Sequence, residues 1–377
     1  MSILLAVLYV VHAISLPSGM TVDLEPSPGG YITAPAPGPP SSISLSPAGA
    51  IAVIMYPEDL YPSAAGKLLI VRPDSSRIVL EGPSDGVLAK YFVHYTVTKK
   101  SAQAYPGAHF AGVKLARDGT PFATVNAAFS GAYSGADDAV FEWNGQEWIN
   151  ALPEHSALGG SNVTLGAADQ PWRAAYNVNY NNTFANLDAF SDPHYQEYWT
   201  FLGDGKKQAK LGYGTSTGMR GDTVVGFSAG LRSLVSSRPL PCLAWKWVGG
   251  RRVKLGPGIA YGVNANGDVV GDDEPVLGPD GVPVLWHSGA MIKLSHSKGS
   301  AYEIADDGTV IGRVGDDGFV IRGGDANRTI TRIDTLLATP GWHVTVVYGV
   351  ASSGRLMAVG QQAPQQQLRL LLLDPKG

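Results

Sequence analysis

One cysteine in 377 residues, Cys242, excludes an intramolecular disulfide framework and any thiolate metal cluster. Charged residues make up only 16% of the chain and no long Ala/Glu/Lys/Leu window occurs, which argues against a helical bundle. Net charge is −4, with Lys and Arg scattered, so the chain lacks the electrostatic footprint of a nucleic-acid or anionic-membrane partner. No apolar run is long enough to span a bilayer as a helix. A phosphate-binding Gly-Lys-Ser/Thr loop and a His-Glu-x-x-His zinc helix are also missing, and no nucleophile elbow is expected.

What the chain does have is turn residues. With 47 Gly and 26 Pro and 44% hydrophobic residues, it has the composition of an all-β protein with a substantial core and many tight turns. The clearest unit runs from Ile259 to His296, where four short apolar segments are separated by turn residues, the pattern of an antiparallel meander. Its copies can be counted from the Gly that turns the first strand into the second. Gly221, Gly267, Gly308 and Gly354 fall 46, 41 and 46 residues apart, and Gly49 and Gly119 extend the series toward the N-terminus. About 40 to 50 residues is the size of a four-stranded propeller blade.

The spacing predicts a seven-bladed β-propeller of four-stranded antiparallel meanders, a single domain over 16–377. The blades are expected at 41–83, 110–150, 161–212, 215–256, 259–296, 300–334 and 343–375, with an insertion at 85–109. The seventh copy stops after three strands. Pairing an N-terminal strand at 20–24 into it would close the ring and remove an exposed edge. The tryptophans Trp143, Trp199, Trp245, Trp247 and Trp286 all fall in third strands, where a packing role between sheets is expected.

Ahead of the repeats, the apolar run Ile3–Val11 and the small-residue segment Val11-His-Ala13 read as a leader over 1–15, although no Lys or Arg precedes the run. Export to an extracellular or periplasmic location is the expectation.

The Gly-Asp-Val-Val-Gly and Gly-Asp-Thr-Val-Val-Gly elements are each followed by an aromatic strand, a Gly-Gly type turn and a Leu-ended strand. With the ending Gly354-Arg-Leu-Met-Ala-Val-Gly360, they resemble the HAF-repeat β-propeller family. The resemblance spans Gly218 to Pro375, although Ala139-Val-Phe141, Leu243-Ala-Trp245 and Val284-Leu-Trp286 stand where the name-giving His-Ala-Phe triplet would be. It implies the propeller fold and export, and carries over no catalytic residue.

Two groups of residues are candidates for function. Loops joining second to third strands are long and aromatic in the early blades, and Tyr61, Phe129, Tyr133, Phe184, His194 and Tyr195 are expected to bind a carbohydrate or protein ligand there. The carboxylates Asp268, Asp272, Asp273 and Glu274 offer oxygen ligands of the kind Ca²⁺ needs, set against the ordinary use of Asp in solvated turns. The function expected from these features is a binding or interaction scaffold. The alternative is a polysaccharide lyase or glycoside hydrolase drawing acid/base groups from Asp188, Asp192, His194, Asp272, Glu274 and His296.

Overall fold

A computed structural model describes residues 7–24, 39–58, 66–91, 109–129, 135–151, 162–169, 174–179, 199–203, 208–229, 242–274, 281–325, 327–365 and 367–376. Seven antiparallel sheets follow one another along the chain, each a meander. The first strands of blades 1 to 7 are Ile43–Leu45, His109–Leu115, Asn162–Ala167, Thr215–Arg220, Ile259–Val263, Gly299–Ile304 and Trp342–Val350. Apolar, often β-branched residues in short runs favour these strands, and turn chemistry ends them. After Val263, for example, Asn264 Oδ1 accepts from the amides of Asn266 and Asp268, both at 3.0 Å, and Gly267 takes the left-handed φ of 79° that the turn requires.

Hydrophobic clusters lie between blades rather than within them, because a single meander cannot cover both of its faces. Trp245 of blade 4 is buried against Ala167, Ala175 and Leu202 of blade 3, and Trp286 of blade 5 against Val225 and Ala244 of blade 4. Trp245 and Trp286 thus pack sheet on sheet, and Trp143 and Trp247 lie against the same kind of cluster.

Polar stitches cross the same seams. Ser44 Oγ accepts from Leu115 N at 3.0 Å, Thr124 Oγ1 from Leu165 N at 3.0 Å, and Asn177 Oδ1 from Ser216 N at 2.8 Å. Farther round, Thr217 Oγ1 donates to Ala260 O, Ser300 Oγ donates to Asp272 Oδ2 at 2.8 Å, and Glu303 Oε2 accepts from Val350 N at 3.0 Å. Between blades 7 and 1, Ser352 N donates to Pro47 O at 2.9 Å.

An N-terminal strand completes the last blade, but it lies earlier than 20–24. Strand β1 (Tyr9–Ala13) pairs with Arg369–Pro375, in register from Tyr9 opposite Pro375 to Ala13 opposite Leu371. Strand β2 (Met20–Thr21) instead pairs with Tyr56 and Pro57 at the edge of blade 1. The physical reason is length: five residues with Tyr9 buried can match the last blade's third strand, whereas Pro17, Gly19 and Pro26 leave β2 only two. Residues of the expected leader thus form a strand of the fold. The insertion expected at 85–109 opens on a short helix, α1 (Asp85–Tyr91), where Ser84 Oγ accepts from Val87 N and Leu88 is buried; 92–108 lie outside the described residues.

Candidate functional site

The first strands line the central channel, and their irregularities shape it. Blades 3 to 7 each carry a bulge at the same register, at Gly166, Thr217, Tyr261, Tyr302 and Tyr348; blade 2 bulges at Ala111. A bulge residue has no partner in the ladder and is re-aimed by the local bend. All six line a cavity of about 440 Å³. In blades 5 to 7 the residues are tyrosines, whose ring centroids are spaced 5.3 Å from Tyr261 to Tyr302 and 5.3 Å from Tyr302 to Tyr348. In blades 2 to 4 they are Ala, Gly and Thr, so one side of the channel is filled with rings and the other is left open.

One register position farther along the strands, blades 1, 3, 4, 5 and 7 have Ser44, Ala167, Gly218, Gly262 and Gly349. Close approach between neighbouring first strands demands small residues here: a Cβ on Gly218 would overlap the Tyr261 carbonyl oxygen. Blades 2 and 6 depart from this rule with Lys114 and Glu303, opposite Phe122 and Ile311 of their second strands.

Both charged residues are half-buried and line the cavity. Burial pushes the Glu303 carboxyl up to about 7, against the stabilising Val350 amide bond and the Lys114 charge. Burial pulls the Lys114 amine below its usual value, with Glu303 partly opposing. Lys114 has neither a hydrogen bond nor an ion pair among the described residues.

The cavity reaches out to the end of the first strands where they turn into the second strands. Here Arg220 Nε lies 2.8 Å from Asp306 Oδ1, its Nη2 contacts Asp306 Oδ2, and its Nη1 is 3.4 Å from Asp169 Oδ2. Arg117 Nη2 reaches the same Asp306 at 3.3 Å. Hydrogen bonding from Arg220 holds the Asp306 carboxyl below its ordinary range. The rim is therefore balanced in charge, and among the described residues Lys114 is the cation lining the cavity without an ion pair.

Behind the tyrosine arc, away from the cavity, lies Asp272. It is 2% exposed, accepts from Ser300 Oγ at 2.8 Å and from Glu274 N at 3.2 Å, and bonds the Tyr261 hydroxyl. Burial raises its pKa to about 7 against those bonds. Cys242, fully buried, is pushed up to about 12 by burial and then by Asp272 and Glu274, which makes it an unreactive thiol.

The four carboxylates considered for Ca²⁺ do not converge. Asp268 precedes and Asp272 ends the strand Val269–Asp272, about 13 Å apart at strand rise. Asp268 Oδ1 is 2.6 Å from His287 Nδ1, while Asp273 Oδ2 pairs with Lys293 Nζ at 2.7 Å and Glu274 is buried beside Asp272. A His/Asp group with donor atoms within 4.8 Å of one another, Asp317, Asp334 and His343, is tied up by a 2.7 Å His343–Asp334 contact and a 3.2 Å Arg332–Asp317 contact.

Of the aromatic loop residues, Tyr61, Tyr133, Phe184, His194 and Tyr195 lie outside the described residues, as do Asp188 and Asp192. Phe129 ends a strand opposite Gly135, and its side chain is likewise undescribed. The second strands run away from the cavity rim, so these loops leave from the other end of the sheets. His296 is exposed and is no part of the cavity.

The string Gly-x-Ser-x-Gly does occur, at Gly214–Gly218 and Gly226–Gly230, contrary to the expectation. Neither copy forms a strand-to-helix elbow. Ser216 is buried within a first strand and donates to Asn177 Oδ1 at 2.9 Å, and Ser228 sits in a second strand, 3.2 Å from Arg252 Nη2.

No family model matches the chain, and no curated protein matches it. Solved structures do. The β-propeller domain of the Trilobed protease from Pyrococcus furiosus, described as having an open velcro topology, aligns with a TM-score of 0.52 at 10% identity over 89% of this chain and 93% of that one. YCF48 from Cyanidioschyzon merolae aligns at 0.47 and 11% identity over 98% and 100%, and a Trypanosoma rangeli sialidase in complex with sialic acid at 0.40 and 8% over 96% and 60%. Together with the seven sheets and the closing strand β1, the first likeness shows the fold: the chain is a seven-bladed β-propeller.

Proposed function

We propose that this propeller is a binding scaffold that takes a small ligand into its central cavity and performs no chemistry of its own. One observation carries the reading: a cavity of about 440 Å³ in which Lys114, Glu303 and three tyrosines converge. Small-molecule sites are concave, mostly apolar and furnished with a few directed polar groups, within about 300 to 1,000 Å³. The lyase or hydrolase alternative needs carboxylates and histidines around a shared pocket. Among the described residues, Asp272 is covered by Tyr261 and Ser300, Glu274 is buried, and His296 points elsewhere, which favours binding over catalysis.

The loop aromatics Tyr61, Phe129, Tyr133, Phe184, His194 and Tyr195 are a second proposed binding site, for glycan or peptide, supported by their aromatic sequence between second and third strands. HAF-repeat membership and export are likewise proposals, supported by the repeat elements from Gly218 onward and by the apolar run Ile3–Val11. Export is proposed with Tyr9–Ala13 retained in the chain, because cleavage after Ala13 would remove the closing strand.

A fragment screen by ligand-observed NMR on the purified protein tests the reading. The expected result is a set of binders lost on Ala111→Phe, which fills the open side of the channel. Binders that survive this substitution and are lost on Tyr133→Ala or Tyr195→Ala would move the site to the loops, and cleavage of a polysaccharide by the pure protein would favour the enzyme.

A further inference from the structure

The cavity has a polarity that its general description leaves unused. Lys114 stands on the open side, in blade 2, at a position where five of the seven blades have Ser, Ala or Gly. A long cationic side chain placed there is not required by the sheet, and it makes no hydrogen bond or ion pair with the described residues. Desolvating an ammonium without a partner is unfavourable, so an enclosed lysine of this kind is usually matched by an anion. Glu303 is the carboxylate whose charge acts on Lys114, yet its Oε2 already accepts from Val350 N and it does not close an ion pair with Lys114. Arg117 and Arg220 at the rim are occupied by Asp306 and Asp169, which leaves Lys114, among the described residues, as the uncommitted cation of the cavity.

Apart from the Ser, Thr and Asn side chains of the seams, the wall inside the rim is built of apolar side chains and rings. Leu115 and Leu165 flank the lysine side, and Tyr261, Tyr302 and Tyr348 form a continuous arc across from it. Tyrosine rings offer faces and edges to planar apolar groups.

On the reading of the cavity as a binding site, we infer that its ligand is a small organic carboxylate with a flat apolar body, its charged end received by Lys114 Nζ and its body laid against the tyrosine arc. Glu303, on blade 6, then bounds the far side of the carboxylate. With its pKa raised to about 7 by burial, it can take a proton and donate to the bound anion instead of repelling it.

The test pairs three acids, benzoate, phenylacetate and 3-phenylpropionate, with their primary amides, which match them in shape and lack the charge. Titrations followed by ligand-observed NMR are expected to show at least one acid binding about tenfold or more tighter than its amide. Lys114→Met and Lys114→Gln, each checked for an unchanged circular dichroism spectrum, are expected to abolish that preference while leaving amide binding in place. Amides that bind as tightly as the acids, or an acid unaffected by both lysine variants, would overturn the inference. Those outcomes leave the cavity reading standing provided that Ala111→Phe still removes binding. If none of the six compounds binds, the carboxylate assignment is overturned and the broader fragment screen alone decides the cavity.

Discussion

At Gly218 a single hydrogen decides whether two blades can meet. The residue lies against the Tyr261 carbonyl of the next first strand, where the obstacle is backbone and cannot swing aside. Gly218→Ala is therefore expected to destabilise the fold by about 3 kcal/mol, measurable by denaturant titration, with the secondary structure of the surviving fraction unchanged. Asp272 makes a different prediction. Its carboxyl has a pKa near 7 in the folded chain against 3.8 in the ordinary state, so the folded form holds an extra proton between those values. Its contribution is fully present below about pH 4 and is lost as pH rises through 7. Asp272 alone should lower stability by roughly 2 to 4 kcal/mol between pH 5 and 8, Glu303 adds a fall of the same sign in the same window, and Asp272→Asn should make the slope shallower by the Asp272 share. A variant with the wild-type slope would assign the pH dependence elsewhere. At the residue scale the site was partly legible in the sequence. Lys114 and Glu303 each stand five residues before a turn glycine, Gly119 and Gly308, where Ser44, Gly262 and Gly349 stand before theirs. Aligning the copies on that glycine exposes both charges. Their convergence was not legible, because the bulges that re-aim the strands leave no trace in composition. Asp272 and Asp273 look alike as letters, but the pleat turns one in beneath Tyr261 and the other out to Lys293.

At the scale of the element, the seams and the closing strand carry the argument. Six of the seven seams combine an apolar cluster with at least one side-chain bond to a neighbouring first strand, and between blades 7 and 1 the bond from Ser352 N to Pro47 O is backbone to backbone. Thr124→Val keeps the volume but leaves the Leu165 amide without its acceptor, and is expected to cost about 1 to 3 kcal/mol. A variant as stable as the wild type would show that the stitch does not matter. Strand β1 buries Tyr9, which is 3% exposed and whose carbonyl accepts from Ala338 N at 2.7 Å. Deleting 1–13 uncovers the edge of Arg369–Pro375, and the expected outcome is a lower melting temperature and concentration-dependent association on size exclusion. A peptide spanning Leu8 to Ile14 should restore part of the loss. The need for such a strand was readable from a seventh copy with three strands. Its identity was not, because a run such as Ile3–Val11 satisfies the pattern of a leader and that of a strand equally.

At the scale of the whole molecule, a near-regular ring carries an irregular channel. The turn-glycine spacing dictates equivalent blades, and equivalent blades alone would give equivalent walls. The departures, with three tyrosines on one arc, small residues on the other and a lysine facing a glutamate, create a space of about 440 Å³ that packing does not require. Protein interiors are otherwise filled to crystal density, so a cavity kept open with an uncommitted charge inside is the feature that most needs a ligand to explain it. The direct measurement is a crystal structure of the wild-type protein soaked with the tightest-binding carboxylate. The account predicts density in the channel, with the carboxylate at Lys114 Nζ and the body against Tyr302. Ligand density confined to the outer faces or to the loops at the opposite end of the sheets, with none in the channel, would contradict it.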